Sequence, residues 1–246
     1  MEIKIVVATH KQAAMPKDDM YLPLQVGAAG SPGLGIQRDD VGENISKKHD
    51  MFAELTGMYW AWKNVNADYI GLVHYRRYFR GRGVEGFKEI ANMDDVQGLL
   101  HVAPVILPRK RNYYVETVYS QFAHAHDVMN LDVAGCVVKE KYPEYYSAFE
   151  NLKNRRSTHI CNMCIMRKDY FYEYCSWLFD ILLEVGLRLP DNQEPRCLGY
   201  IGERLLDVWL ETRQVKYVEK SVVCYGVENT VCKGIKMLKR KVFGRK

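Results

Sequence analysis

Three short apolar runs punctuate this chain, and each of them stops on cations. Residues 3–9 (Ile3-Lys4-Ile5-Val6-Val7-Ala8-Thr9) end in His10 and Lys11. Residues 68–74 (Asp68-Tyr69-Ile70-Gly71-Leu72-Val73-His74) lead directly into Tyr75-Arg76-Arg77-Tyr78-Phe79. Residues 104–108, with a proline at either end, are followed by Arg109, Lys110 and Arg111. Apolar, β-branched runs of this length are what a strand buried on both faces requires. Between them lie segments of helical period. Residues 51–64 carry Phe52, Leu55, Tyr59 and Trp62 at that spacing, with Asp50 placed to cap the helix. Further helices are predicted over 94–101, 115–125, 127–140, 143–153, 168–186 and 202–212, and further strands over 159–166 and 215–224. Strands interleaved with helices predict an α/β fold with a mostly parallel central sheet flanked by helices.

In such sheets ligands sit beyond the carboxyl ends of the strands. If the three runs are neighbours, His10, Lys11, His74, Arg76, Arg77, Arg109, Lys110 and Arg111 converge on one crevice. Their mutual repulsion calls for an anion. A nucleotide diphosphate suits them, because guanidinium groups match phosphate geometry bidentately. The competing reading is that Arg76 and Arg77 pair with Asp39, Asp40 or Glu43 and merely hold a loop. Residues 12–50 are rich in Gly, Pro and Asp and are predicted to lack regular structure; a loop of that length is usually functional.

Several chemistries lack their signatures. There is no GxxxxGK[ST], no GxGxxG after the first strand (Gly33-Leu34-Gly35 is a fragment inside the loop), and no GxSxG. Cys161-Asn162-Met163-Cys164 has metal or redox spacing, but no second pair completes a zinc site. The seven scattered cysteines read as reduced core residues of a cytosolic protein. His124 and His126 stand at a predicted helix end, where imidazole suits the helix dipole. His159 opens a predicted strand. Glu203, in Gly199-Tyr200-Ile201-Gly202-Glu203-Arg204, is placed at a predicted helix start. It is either a carboxylate favoured by that terminus or a general base delivered by a glycine-flexed turn. Tyr113, Tyr114, Tyr119, Trp60 and Trp62 suit sugar stacking, although at helical spacing most of them belong to a core.

The net charge of +5 is a property of one end. Residues 233–246 hold seven Lys and Arg and no acid, which leaves 28 basic and 30 acidic residues before them. A nucleic-acid binder spreads its positive charge over a folded face, so no nucleic-acid partner is expected. Val231, Ile235, Leu238 and Val242 put an apolar stripe among those cations. A segment of that kind can lie on anionic lipid or remain solvated. No run approaches the ~18 apolar residues of a membrane span, and the start is too short and wrongly flanked for a signal peptide. The expected division is a domain over 1–230 and a basic tail over 231–246. The expected location is the cytoplasm, at the inner face of the membrane.

The most specific block in the sequence is Val73-His74-Tyr75-Arg76-Arg77-Tyr78-Phe79. Alongside it stand Ile5-Val6-Val7-Ala8-Thr9-His10-Lys11, Tyr21-Leu22-Pro23-Leu24-Gln25-Val26-Gly27 and Gln37-Arg38-Asp39-Asp40. Glu54-Leu55-Thr56-Gly57-Met58-Tyr59-Trp60-Ala61-Trp62, Pro108-Arg109-Lys110-Arg111-Asn112-Tyr113 and the Glu203 segment complete the pattern. Over about residues 1–225 the chain resembles the DUF4422 family of bacterial capsular and exopolysaccharide glycosyltransferases. The resemblance implies a GT-A-like nucleotide-sugar fold that moves a sugar, galactose in pyranose or furanose form, from a UDP-sugar donor. The implied acceptor is a growing polysaccharide, an O-antigen or a lipid-linked saccharide. A non-catalytic carbohydrate-binding or assembly subunit is the alternative it leaves open. Donor contacts would fall to Thr9, His10, Lys11, Arg38, Asp39, Asp40, His74, Arg76, Arg77, Lys110 and Arg111. Acceptor contacts would fall to His124, His126, His159 and Asn162, and Glu203 would be the catalytic carboxylate. His74 to Arg77 occupy the place of the usual Asp-x-Asp metal motif, which is absent. Arg76 and Arg77 would then neutralise the leaving diphosphate, or Asp39 and Asp40 would supply carboxylates to Mn2+ or Mg2+.

Overall fold

In a computed structural model that describes residues 1–225, the first apolar run is the centre of the molecule. Strand β1 (Ile3–Thr9) pairs in parallel with β2 (Tyr21–Gln25) on one side and β4 (Tyr69–His74) on the other. Outside β2 lies the short β3 (Gln37–Arg38), also parallel. Beyond β4 the order continues through β9 (Cys164–Arg167), β6 (Val105–Pro108) and β10 (Val218–Lys220). The strand β9 runs antiparallel to both of its neighbours, and β10 is parallel to β6. A side branch adds β5 (Arg77–Phe79) to the end of β4 and β11 (Val222–Cys224) to β5, both antiparallel. The pair β7 (Arg111–Asn112) and β8 (Ser157–Thr158) forms a separate ribbon.

Strand alternation separates two cores. Val6, Ala8, Ile70, Leu72, Val105, Leu107, Cys164 and Met166 face one side, whereas Ile5, Val7, Val73, Ile106, Met163 and Ile165 face the other. The first face is covered by α1 (His49–Phe52), α2 (Leu55–Asn64), α4 (Val118–Ala125), α5 (Val128–Lys141), α6 (Pro143–Asn154), α7 (Lys168–Arg188) and α8 (Cys197–Thr212). The second is covered by α3 (Met93–Leu100) and the β5–β11 branch. This is the α/β architecture expected from the sequence.

Five expectations about elements need correction. The stretch 12–50 contains β2 and β3; Pro23 conceals β2, and it is accepted because β3 pairs only with Leu24 and Gln25, leaving β2 an edge at the proline. The helix expected over 51–64 is broken at Ala53, whose φ of 50° is left-handed, and Asp50 lies inside α1 and caps nothing. The strand expected over 159–166 starts only at Cys164, because Cys161 and Asn162 adopt φ of 77° and 50°. Helix α8 begins at Cys197, five residues early, so Gly199 and Gly202 are helical. They serve contact: a Cβ on Gly202 would stand 2.8 Å from Leu55 Cδ1. The last expected strand, 215–224, is two short ones, β10 and β11. Residues 226–246, including the basic tail 231–246, lie outside the described residues.

Candidate active site

The carboxyl ends of β1 and β4 open into a crevice of about 580 Å³. Its walls include His10 after β1, His74 at the end of β4, Arg76 and Arg77 after it, Arg111 from β7, and Glu203 from α8. His49, Glu54, His126, Arg196, Tyr200 and Arg204 join them. Of the residues expected at the site, His10, His74, Arg76, Arg77, Arg111, His126 and Glu203 are therefore brought together. Backbone strain gathers at the same place. Ala53, Cys161, Asn162 and Arg196 all have left-handed φ and surround the crevice, with φ of 50°, 77°, 50° and 69°. Such conformations cost about 1–3 kcal/mol each and persist where the surroundings over-determine them, commonly at functional sites.

Asp50, Glu54 and Glu203 are the carboxylates of the crevice, and the two glutamates are held by different donors. Glu54, 7% exposed, accepts from Asn162 Nδ2 at 2.9 Å and from Arg196 Nη2 at 3.1 Å. Burial works against its charge, but the neighbouring His74, the Asn162 amide and Arg196 outweigh it and hold the carboxyl below its ordinary value. Glu203 accepts from the Cys161 N–H at 2.9 Å and from Arg204 Nη1 at 2.5 Å. Here burial wins over Arg204, and the carboxyl is pushed up, with the charge of Glu54 adding to the rise. His74 Nε2 donates to the Cys161 carbonyl at 2.6 Å, which fixes its tautomer, and burial lowers its proton affinity. Burial and the adjacent Arg76 lower that of His10.

The cations divide likewise. Arg196 and Arg204 are neutralised by Glu54 and Glu203. Arg76 and Arg77 have no carboxylate within ion-pair distance among the described residues, so the loop-holding pairing with Asp39, Asp40 or Glu43 is not formed. Arg76 lies 5.0 Å from the Tyr75 ring centre, and Tyr75 also meets His10 edge-on at 5.5 Å.

Other expected site residues do structural work. Thr9 is buried and its hydroxyl donates to the Lys11 carbonyl at 2.6 Å, closing the turn after β1. Lys11 lines a separate cavity with Met15, Leu34 and Ile36, while its ammonium lies 5.7 Å from the ring centre of Tyr75 at the edge of the crevice. Asp39 accepts from the N–H groups of Gly27 and Ala28 at 2.9 and 3.0 Å and from the Ser46 hydroxyl. Arg38 is forked onto Asp40 at 3.0 and 2.7 Å, and its Nη2 reaches the Ala28 carbonyl at 2.6 Å. These three residues staple the 27–40 loop. With their oxygens so engaged, Asp39 and Asp40 do not fit the metal role the sequence allowed them. Among the described residues no group of three or more His, Cys, Asp or Glu side chains is arranged to hold a metal ion. Lys110 reaches Asp207 at 3.5 Å, and His124 pairs with Glu116 on an exposed helix face. His159 is buried between Asp207 and Glu219. Asn162 is 4% exposed, and its amide nitrogen donates to Glu54 and to the Gly199 carbonyl. The Cys161 and Cys164 thiols are both pushed up to about 12 by burial, which suits packed thiols and not thiolates.

Glu54, Arg196, Arg204 and Tyr200 escaped the sequence reading. Glu54 had one signal, a lone carboxylate in the apolar stretch Phe52-Ala53-Glu54-Leu55. Tyr200 stacks on His126 with ring centres 3.8 Å apart, a pairing across 74 residues that no local pattern reveals.

The fold is similar to that of a solved structure, the WbbM bifunctional glycosyltransferase in its apo form, at a TM-score of 0.85 and 28% identity. The alignment covers 93% of this chain and 46% of that one, so the chain spans about half of its solved relative. No curated protein matches. The family described as a domain of unknown function, DUF4422, matches residues 4–214, and the chain belongs to that family.

Proposed function

We propose that this chain is a glycosyltransferase that moves a sugar from a nucleoside-diphosphate donor to a saccharide acceptor. One observation carries the reading. Two guanidinium groups without carboxylate partners, Arg76 and Arg77, share a crevice with a half-buried carboxylate, Glu203, whose proton affinity is raised. The cations suit a diphosphate leaving group, and the carboxylate suits an acceptor hydroxyl. The crevice is a recess of about 580 Å³, the size for a small anionic ligand and not for a nucleic-acid duplex. The similarity to a glycosyltransferase over 93% of the chain supports the same class.

In this mechanism Glu203 takes the proton of the acceptor hydroxyl as that oxygen bonds to the anomeric carbon. The bond from that carbon to the phosphate oxygen breaks, and its electron pair leaves on the diphosphate. Arg76 and Arg77 stabilise the charge that accumulates there, in the place of the absent Asp-x-Asp motif. Preorganised charge at the leaving group is usually the largest catalytic contribution. Direct displacement inverts the anomeric centre. UDP-galactose, pyranose or furanose, is the donor we assign, and a lipid-linked or growing surface polysaccharide is the acceptor. No helix among the described residues is long and apolar enough to cross a membrane. The seven cations of 233–246 would bring the enzyme to an anionic surface instead.

Incubation with UDP-, GDP- and dTDP-sugars, with saccharide acceptors present and product read by mass spectrometry, tests the assignment. Transfer from a UDP-sugar supports it. Donor binding without transfer or hydrolysis would favour a carbohydrate-binding assembly subunit.

A further inference from the structure

Glu54 and Glu203 are tied to the same two-residue turn. The Cys161 N–H donates to Glu203 Oε1, and the Asn162 amide donates to Glu54 Oε1, each at 2.9 Å. Adjacent residues thus fix one oxygen of each carboxylate. Asn162 Nδ2 also bonds the Gly199 carbonyl at 3.0 Å, locking the turn to the first turn of α8, which carries Glu203. The Cys161 carbonyl accepts a hydrogen bond from His74 Nε2 at 2.6 Å, so the turn is anchored to β4 as well. Packed against that turn of α8, left-handed Ala53 breaks the helix immediately before Glu54. Arg196, itself left-handed, covers Glu54 and donates its backbone N–H to the Asp50 carbonyl at 2.6 Å. Asn162 is only 4% exposed.

Two carboxylates fixed in one small site do not ionise with equal ease; the one better supplied with cationic and hydrogen-bond donors keeps its charge and the other holds the proton more tightly. The donors decide which is which. Glu54 has a guanidinium, an amide and an adjacent imidazole. Glu203 faces Arg204 on its own helix, Arg196 from the segment before it, Cys161 from the turn, Tyr113 from the segment before α4, and Glu54 from the start of α2. We infer that Glu54 is a positioning residue for transfer: it stays ionised, and its fixed negative charge makes Glu203 the carboxylate that receives the acceptor's proton. This inference rests on Glu203 being the base.

The test is the pH dependence of kcat/KM for Glu54→Gln in the full chain. Removing the neighbouring charge should move the acid limb to lower pH, because Glu203 then loses its proton more readily. A merely structural Glu54 would lower activity at every pH and leave the limb in place, and that result overturns the inference. Glu203→Gln separates this failure from failure of the broader reading. Full turnover in Glu203→Gln removes the base and the inference together. Loss of turnover there, with an unmoved limb in Glu54→Gln, rejects only the role of Glu54. If Glu54→Gln does not fold, carbon NMR of glutamate carboxyl groups in the wild-type chain decides, with assignments from Glu203→Gln. Glu203 should titrate at higher pH than Glu54, and the reverse order overturns the inference.

Discussion

His159 Nδ1 lies 2.6 Å from Asp207 Oδ1 in the interior, where the histidine side chain is 0% and the aspartate 2% exposed. Asp207 Oδ2 also takes the Thr158 hydroxyl at 2.6 Å and the His159 N–H at 2.9 Å, so α8 is fastened to the segment that leads into the Cys161 turn. Burial disfavours the charge on Asp207, but His159, Lys110 and Thr158 outweigh it and hold the carboxyl far below its usual range. Breaking a buried pair by removing one partner costs about 3–5 kcal/mol. Asp207→Ala should lower the urea midpoint accordingly at pH 7. A carboxyl that titrates lower in the folded state stabilises fully above the unfolded value of about 3.9 and loses that contribution as pH falls further. The gap between wild type and Asp207→Ala should therefore narrow below about pH 4. A constant gap would show that the aspartate's charge contributes nothing.

Arg76→Ala and Arg77→Ala should each weaken UDP binding by about 1.5–3 kcal/mol, the range for hydrogen bonds to charged groups. Isothermal titration reads this directly, and unchanged curves would make both residues structural. Because Asp39 and Asp40 are committed to the 27–40 loop, the same titration in EDTA should match that in Mn2+.

Glu203→Gln should reduce turnover by ~10²-fold or more, as expected for a general base, while UDP titrates as in the wild type. Product stereochemistry, read by NMR, should be inverted. A retained anomer would leave Glu203 a positioning group.

Gly202→Ala should destabilise by about 1–3 kcal/mol, the usual cost of overpacking, because the new methyl would stand 2.8 Å from Leu55 Cδ1. Thermal unfolding measures it. Since the clash lies one residue from Glu203, turnover should fall by more than the loss of folded protein explains.

What was legible beforehand follows from how far apart the cooperating residues are. His74, Arg76 and Arg77 could be placed because a buried strand and its polar exit are contiguous, so one apolar run locates them. Glu54 could not, since its role depends on Asn162 and Arg196, 108 and 142 residues away. The turn at Cys161 and Asn162 was concealed because neither residue is glycine, the usual mark of left-handed backbone. Lys110, His124 and His159 show the converse. Their residue types suit a ligand, but each found a carboxylate within the protein. Residue type alone does not separate a cation awaiting an anion from one already paired.

The described chain ends where the leaving group is expected. Strand β11 sets Cys224 opposite Arg77, and the Tyr225 N–H donates to the Arg76 carbonyl at 2.9 Å. Residues 226–246 are joined to the described fold at Tyr225, beside Arg76. Were their cations to hold an anionic bilayer, the crevice would be tethered within a short reach of that surface. A lipid-borne acceptor, confined to two dimensions, would then meet the enzyme at a high effective concentration. Vesicle binding would raise the capture rate of membrane-borne acceptor and leave that of a water-soluble analogue unchanged.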